Sequence, residues 1–283
     1  MAQGPITGLW QWLHWGTASA DTPVGVLTGG ALPLNPDARS RMGSGGNIMR
    51  RGGVVQIGGN ATFDVTATNQ GLVAAGFRAS YPRGALTEVY LAGGADEWGV
   101  QHDAAWITQG SINYSQGQGL QASVTWGGLA YATHAGDEMD PEANLSLEDY
   151  EFVVSFEGAE YGVTAVTINF NNNCSFKSNG NTKAAGQKRW PNVRRYGAEV
   201  VTVDLTSDIP LSQATLDLAE DLLPNTLGMV LTGTNGTDSL VITLTSLQPN
   251  NEDFGFVDAN SDVGWTYGFN GNSRAGCVDW AWT

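Results

Sequence analysis

Thr62-Phe63-Asp64-Val65-Thr66 alternates polar and apolar side chains, and 140 residues on Thr202-Val203-Asp204-Leu205-Thr206 does the same. A period of two is the mark of a strand with one buried face. The first copy leads to a short helical stretch at 71–80 and a strand at 87–92. The second leads to a helix at about 210–222 and a strand at 228–232. A polar loop carrying much of the positive charge precedes each copy. Between residues 61 and 93, Thr62, Asp64, Thr66, Ala74, Ala79, Leu91 and Gly93 recur at that offset. Elsewhere the matches fall to what chance supplies, so the doubling rests on a shared order of elements.

That order predicts a mainly β chain of two tandem units, residues 1–140 and 141–283. Composition agrees: 283 residues with 38 Gly, 10 Trp and only 14% charged residues suit many short strands joined by tight turns. Strands are expected at 54–57, 61–68, 104–108, 110–115, 119–126 and 128–133. In the second unit they are expected at 150–156, 162–170, 228–232, 238–246 and 263–269, with a last one at 278–282. Asn69 is expected to cap the first helix. That helix is weak, because Gly71 and Gly76 lower its propensity. The helix at 210–222 is stronger, with Pro210 in its first turn and Leu211, Ala214, Leu218 and Leu222 on one face. The acidic stretch 134–149 divides the units.

The formal net charge of −15 argues against nucleic-acid binding, which relies on Lys and Arg at phosphates. Cys174 and Cys277 make no disulfide framework and read as reduced thiols. No apolar run reaches membrane-spanning length, and no basic region precedes an apolar stretch at the N-terminus, so neither a span nor a secretory signal is expected. His14, His102 and His134 match no metal spacing, and no nucleophile elbow or phosphate loop occurs. No catalytic residue, metal or cofactor is expected. The run Asp137-Glu138-Met139-Asp140 lacks the Gly and terminal Glu of a calcium loop and reads as a solvated linker. Ten tryptophans suit a sugar platform, but most alternate within strands, which favours packing.

Charge is segregated along the chain. Arg39, Arg41, Arg50 and Arg51 lie in a first loop at 35–53. Lys177, Lys183, Lys188, Arg189, Arg194 and Arg195 lie in a second at 171–195. Carboxylates dominate elsewhere. Basic loops on an acidic body suit subunits stacked face to tail, a heterologous contact that propagates a filament.

On these residues the chain resembles the tail tube (major tail) proteins of long-tailed, siphovirus-like bacteriophages. The likeness is carried by VTAVTINFNNNCSFKSNG (163–180), RRYGAEVVTVDLTSD (194–208), PLSQATLDLAEDLLP (210–224) and the final hairpins, and it covers most of 55–283. It implies a β-sandwich or half-barrel per unit with one flanking helix, rings stacked around a channel, and six units per ring. Two units per chain would make that ring a trimer (a pseudo-hexamer), whereas an unduplicated chain would form a hexamer. The partners implied are the chain itself, tape-measure and tail-end proteins, and viral DNA passing without specific binding. The place implied is the virion tail, with assembly in the host cytoplasm. The weak helix at 71–80 departs from the family pattern. The ten basic residues named above are expected at the ring-to-ring contact, and Asp64 and Asp204 are expected to line the channel. The alternative is a carbohydrate-binding β-sandwich module or virion surface adhesin.

Overall fold

The computed structural model of the chain describes residues 11–20, 22–25, 27–31, 34–35, 38–43, 46–51, 56–77, 85–95, 98–135, 151–156, 159–161, 163–179, 190–207, 227–234, 239–254, 265–271 and 278–283. The fold is mainly β, as composition predicted. The first half runs β1 (Gln11–Gly16), β2 (Thr22–Pro23), β3 (Leu27–Ala31), β4 (Leu34–Asn35), β5 (Ala38–Gly43), β6 (Gly46–Arg51) and β7 (Gln56–Asp64). It continues through α1 (Gln70–Ala74), β8 (Val89–Ala95), β9 (Trp98–Ser115), β10 (Gln118–Gly127) and β11 (Ala130–Ala135). The second half holds β12 (Glu151–Phe156), β13 (Ala159–Tyr161), β14 (Val163–Asn171), β15 (Ser175–Lys177), β16 (Val193–Arg195) and β17 (Val200–Ser207). It ends with β18 (Leu227–Thr234), β19 (Ser239–Phe254), β20 (Trp265–Gly271) and β21 (Val278–Trp282).

The pairings repeat. In the first half β1 pairs with β2 and β8, β8 with β9, β9 with β10 and β11, β10 with β7, and β7 with β3 and β4, while β5 and β6 form a hairpin. In the second half β12 pairs with β13 and β18, β18 with β19, β19 with β20 and β21, β20 with β17, and β17 with β14, while β15 and β16 form a hairpin. A single further pairing among the described residues, β9 with β14, joins the two sets.

Two long strands turn the corner between layers. The first part of β9 pairs with β8 and β11, and its last part with β10 and β14. The turn is made at Ala104, whose φ of 51° is a left-handed conformation. In β19 the same turn falls at Ser246, with φ 58°, 142 positions on. Bulges of this kind bend a strand so that one segment serves two sheets. Expected separate strands at 104–108 and 110–115 are therefore one bent strand.

The structural register corrects the 140-residue offset. Leu27 pairs with Phe63 and Gly29 with Thr62, leaving one residue bulged between them. Val163 pairs with Ser207 and Ala165 with Thr206, again with one left over. Thr62 thus corresponds to Thr206, not Thr202, and Asn60 rather than Asp64 is the counterpart of Asp204. A slip of four residues preserves the in–out pattern, because side chains alternate with period two.

The core lies between the layers. Phe63, Val124, Ile112, Ile168, Val203 and Phe269 face it from neighbouring strands of one sheet; Leu91, Leu231, Leu240 and Ile242 face it from the other layer. α1 buries Leu72 and Val73 on the same side. Asn69 stands at its N-cap position but makes no side-chain cap. Its carboxamide instead donates to the carbonyls of Val24 (2.6 Å) and Asp64 (2.8 Å) and accepts from the Thr66 N–H (2.9 Å). The expected cap is a buried tie between β7 and the segment after β2. The expected helix at 210–222 lies outside the described residues. So does the boundary, apart from 134–135 at the end of β11.

Candidate assembly surfaces

The joint between the halves is built from three groups of contacts. The first is the ladder itself, from Gln109 opposite Asn171 to Ser115 opposite Ala165. Gly110 is required here: a Cβ on it would lie 2.5 Å from the Ser123 carbonyl oxygen and 2.7 Å from the Phe170 ring. Asn172 ends the ladder, fully buried. Its N–H donates to the Thr108 carbonyl (2.8 Å), and its amide nitrogen donates to the carbonyls of Gly76 (2.8 Å) and Ile107 (3.1 Å).

The second group is the root of the β15–β16 hairpin, which clamps onto the first half. Trp190 meets Tyr131 with ring centroids 4.8 Å apart, and Tyr196 meets Trp106 at 5.4 Å. Arg194 lies over the Trp106 ring at 4.1 Å, pairs with Glu88, and donates to the carbonyl of Ala104 at 2.7 Å. One guanidinium thus meets a ring face, a carboxylate and the carbonyl of the bulge (the fork geometry of Arg suits all three). The third group sets Phe77 at a tilt against Phe170 (4.7 Å) and stacks it on Trp280 (6.3 Å), while the Trp280 indole donates to the side-chain oxygen of Gln70 in α1.

The second surface is the outer face of the continuous sheet β7–β10–β9–β14–β17–β20. One register row crosses it: Asp64 opposite Gln121, Gln121 opposite Asn113, Asn113 opposite Thr167, Thr167 opposite Asp204, and Asp204 opposite Gly268. The row is stitched by side chains: Gln121 donates to Asp64 (3.1 Å) and Thr167 to Asn113 (3.1 Å). Asp64 is half-buried and Asp204 exposed. Four strand steps separate them, about 19 Å. Flanking positions are Ser111, Ser123, Asn169, Thr202 and Asn270. A shallow groove of about 380 Å³ opens between them. The face is a field of hydroxyls and amides with two carboxylates and, along these rows, no Lys or Arg.

Arg39, Arg41, Arg50 and Arg51 lie on the β5–β6 hairpin, where Arg39 pairs with Arg50 and Arg41 with Ile48. The expected loop at 35–53 is therefore largely a β-hairpin. The second basic loop also carries one: Lys177 and Arg195 are exposed at its root, Arg194 is spent inside the chain, and Lys183, Lys188 and Arg189 lie outside the described residues. The joint went unread in the sequence. Its signals were the Asn171-Asn172-Asn173 run and the aromatic pair Trp190 and Tyr196 bracketing Arg194 and Arg195.

A buried polar pair sits beside the Ala104 bend. The Trp126 indole donates to Nδ1 of His102 (3.0 Å), and burial lowers the His102 pKa to about 4 despite the opposing pull of Asp103. Desolvation disfavours the charged imidazolium, so the ring is neutral near pH 7. Among the described residues no helix is long and apolar enough to cross a membrane. Comparison of the sequence with protein-family models and with curated proteins finds no match in either.

Proposed function

We propose that the chain is a self-assembling structural subunit of a phage tail tube, built of two tandem tube-type β-sandwich units, 1–140 and 141–283, each with one flanking helix. Copies close into stacked rings, three chains giving a pseudo-hexamer, around a channel through which viral DNA passes. The protein is a virion component without enzymatic activity, and its further partners are the tape-measure and tail-end proteins. The observation that carries this reading is the β9–β14 joint. Two like sets of strands are fused edge to edge within one polypeptide, and the same kind of edge recurs at both outer ends of the array. Edge strands left bare are an aggregation hazard, and ring closure removes them.

The polar sheet face supports the channel role. It continues across the joint and offers phosphates neutral hydroxyls, amides and a few negative charges. Binding to DNA is driven mainly by cations, so such a wall would let a duplex slide. Asp64 and Asp204 take the channel-facing role on this reading. The basic hairpins, with Arg39, Arg41, Arg51, Lys177 and Arg195, take the ring-to-ring role.

The alternative, a carbohydrate-binding module or surface adhesin, has in its favour the amide- and hydroxyl-lined groove between Gln109 and Thr202. Electron microscopy of the purified protein separates the two. Rings or tubes of even bore support the first reading; monodisperse single particles that retain glycans on an array support the second.

A further inference from the structure

The repeat predicts the contact between copies residue by residue, which deepens the reading above and rests on it. Residues 27–31 and 34–35 match 163–167 and 170–171 one for one. Leu27 opposite Phe63, Leu34 opposite Ile57 and Asn35 opposite Gln56 reproduce Val163 opposite Ser207, Phe170 opposite Val201 and Asn171 opposite Val200. Likewise β9 matches β19: the bends at Ala104 and Ser246 coincide. So do the next irregularities, Thr125–Gln109 beside Trp126–Ile107 and Gly268–Asn251 beside Phe269–Pro249. Within the chain β14 lies on the edge of β9. Among the described residues β3 and β4 pair only with β7, and 251–254 of β19 pair only with β20.

We infer that β3 and β4 of one copy add to the edge of β19 in a second copy, in the register that joins β14 to β9. Asn35 then stands opposite Asn251, and Leu34 opposite Glu252, as Asn171 stands opposite Gln109 and Phe170 opposite Gly110. The added ladder supplies main-chain hydrogen bonds, while the register is set by the bend and the irregularity that follows it.

The same superposition equates Arg50 and Arg51 with Arg194 and Arg195. Both pairs end the second strand of a hairpin, five residues before the next strand begins at Gln56 or Val200. Arg50 is thereby assigned to the carbonyl of Ser246 on the neighbouring copy, as Arg194 holds the carbonyl of Ala104. The surroundings differ. Gln248 replaces Trp106, so the copy-to-copy joint lacks the ring. It is the weaker joint, as suits a subunit that must stay apart until assembly begins.

The test uses full-length protein with Cys174→Ser and Cys277→Ser, carrying Asn35→Cys or Asn251→Cys, at assembling concentration with a short thiol–thiol cross-linker. Mixing the two variants should give covalent dimers in at least tenfold excess over either alone. The double variant should give a ladder of oligomers. An Asn35→Cys and Thr234→Cys mixture, off the predicted edge, should give none. Arg50→Glu should lower the dimer yield while leaving the monomer's melting temperature unchanged, whereas Arg194→Glu should lower that temperature. Tubes or rings without 35–251 dimers would overturn this inference and leave the tube reading standing. Particles that stay monomeric without dimers would overturn both.

Discussion

At the corner of each layer the two halves use the same backbone and opposite side-chain chemistry. In the first half His102 and Trp126 form a buried hydrogen-bonded pair beside the Ala104 bend. At the corresponding places beside Ser246 stand Leu244 and Phe269, both buried and apolar. The bend is therefore a property of strand pairing and does not require a polar pair to hold it. What the polar pair adds is sensitivity: a hydrogen bond in the core is worth about 1 kcal/mol net, but losing one partner exposes the cost of the other.

The largest break in this comparison is expected at Asn172, whose side chain ties the second half to carbonyls of the first. Asn172→Ala strips the Gly76 and Ile107 carbonyls of their donor and should destabilise the chain by about 3 kcal/mol, read as a lower denaturation midpoint. Next comes pH. His102 has its folded pKa lowered to about 4, so the unfolded chain takes up the proton first as pH falls below about 6.5. Stability contributed by the neutral ring is complete above that value, declines toward pH 4, and is then flat. The total loss is about 3 kcal/mol. The double change His102→Leu and Trp126→Phe, which copies the second half, should abolish that slope in pH-dependent unfolding. A slope that survives would assign it to other groups.

Smaller effects test the clamp. Arg194→Met removes the donor to the Ala104 carbonyl and the partner of Glu88 while keeping the stem over Trp106. About 1–2 kcal/mol should be lost, since the pair is partly exposed. The smallest change expected is a gain. Ala104→Gly relieves a left-handed alanine and should raise stability by at most about 1 kcal/mol, with Ser246→Gly behaving alike. If only one responds, the two bends are strained to different degrees.

Much of the sheet was legible in residues 166–171 and 200–207, because they alternate regularly and each has one buried face. The two alternating strands at 62–66 and 202–206 were legible too, but not their register against their neighbours, since a period of two is blind to a shift of four. The basic hairpins passed for loops because Gly, Ser and Asn mark a turn whether or not the flanks pair. Asn69 passed for a cap because its partner at Val24 is 45 residues away. Arg194 passed for a free cation for the same reason: Glu88 and the Ala104 carbonyl are remote in sequence.

The order of β9 and β14 along the chain has a consequence for birth on the ribosome. The edge at 109–115 emerges before 165–171, the strand that covers it. At about 5–20 residues per second, that edge stays bare for roughly 3–11 s. During that interval the tethered downstream segment is present at an effective concentration near millimolar, far above that of any neighbouring nascent chain. Covalent succession thus favours capture of each polypeptide's first open edge by its own later strand.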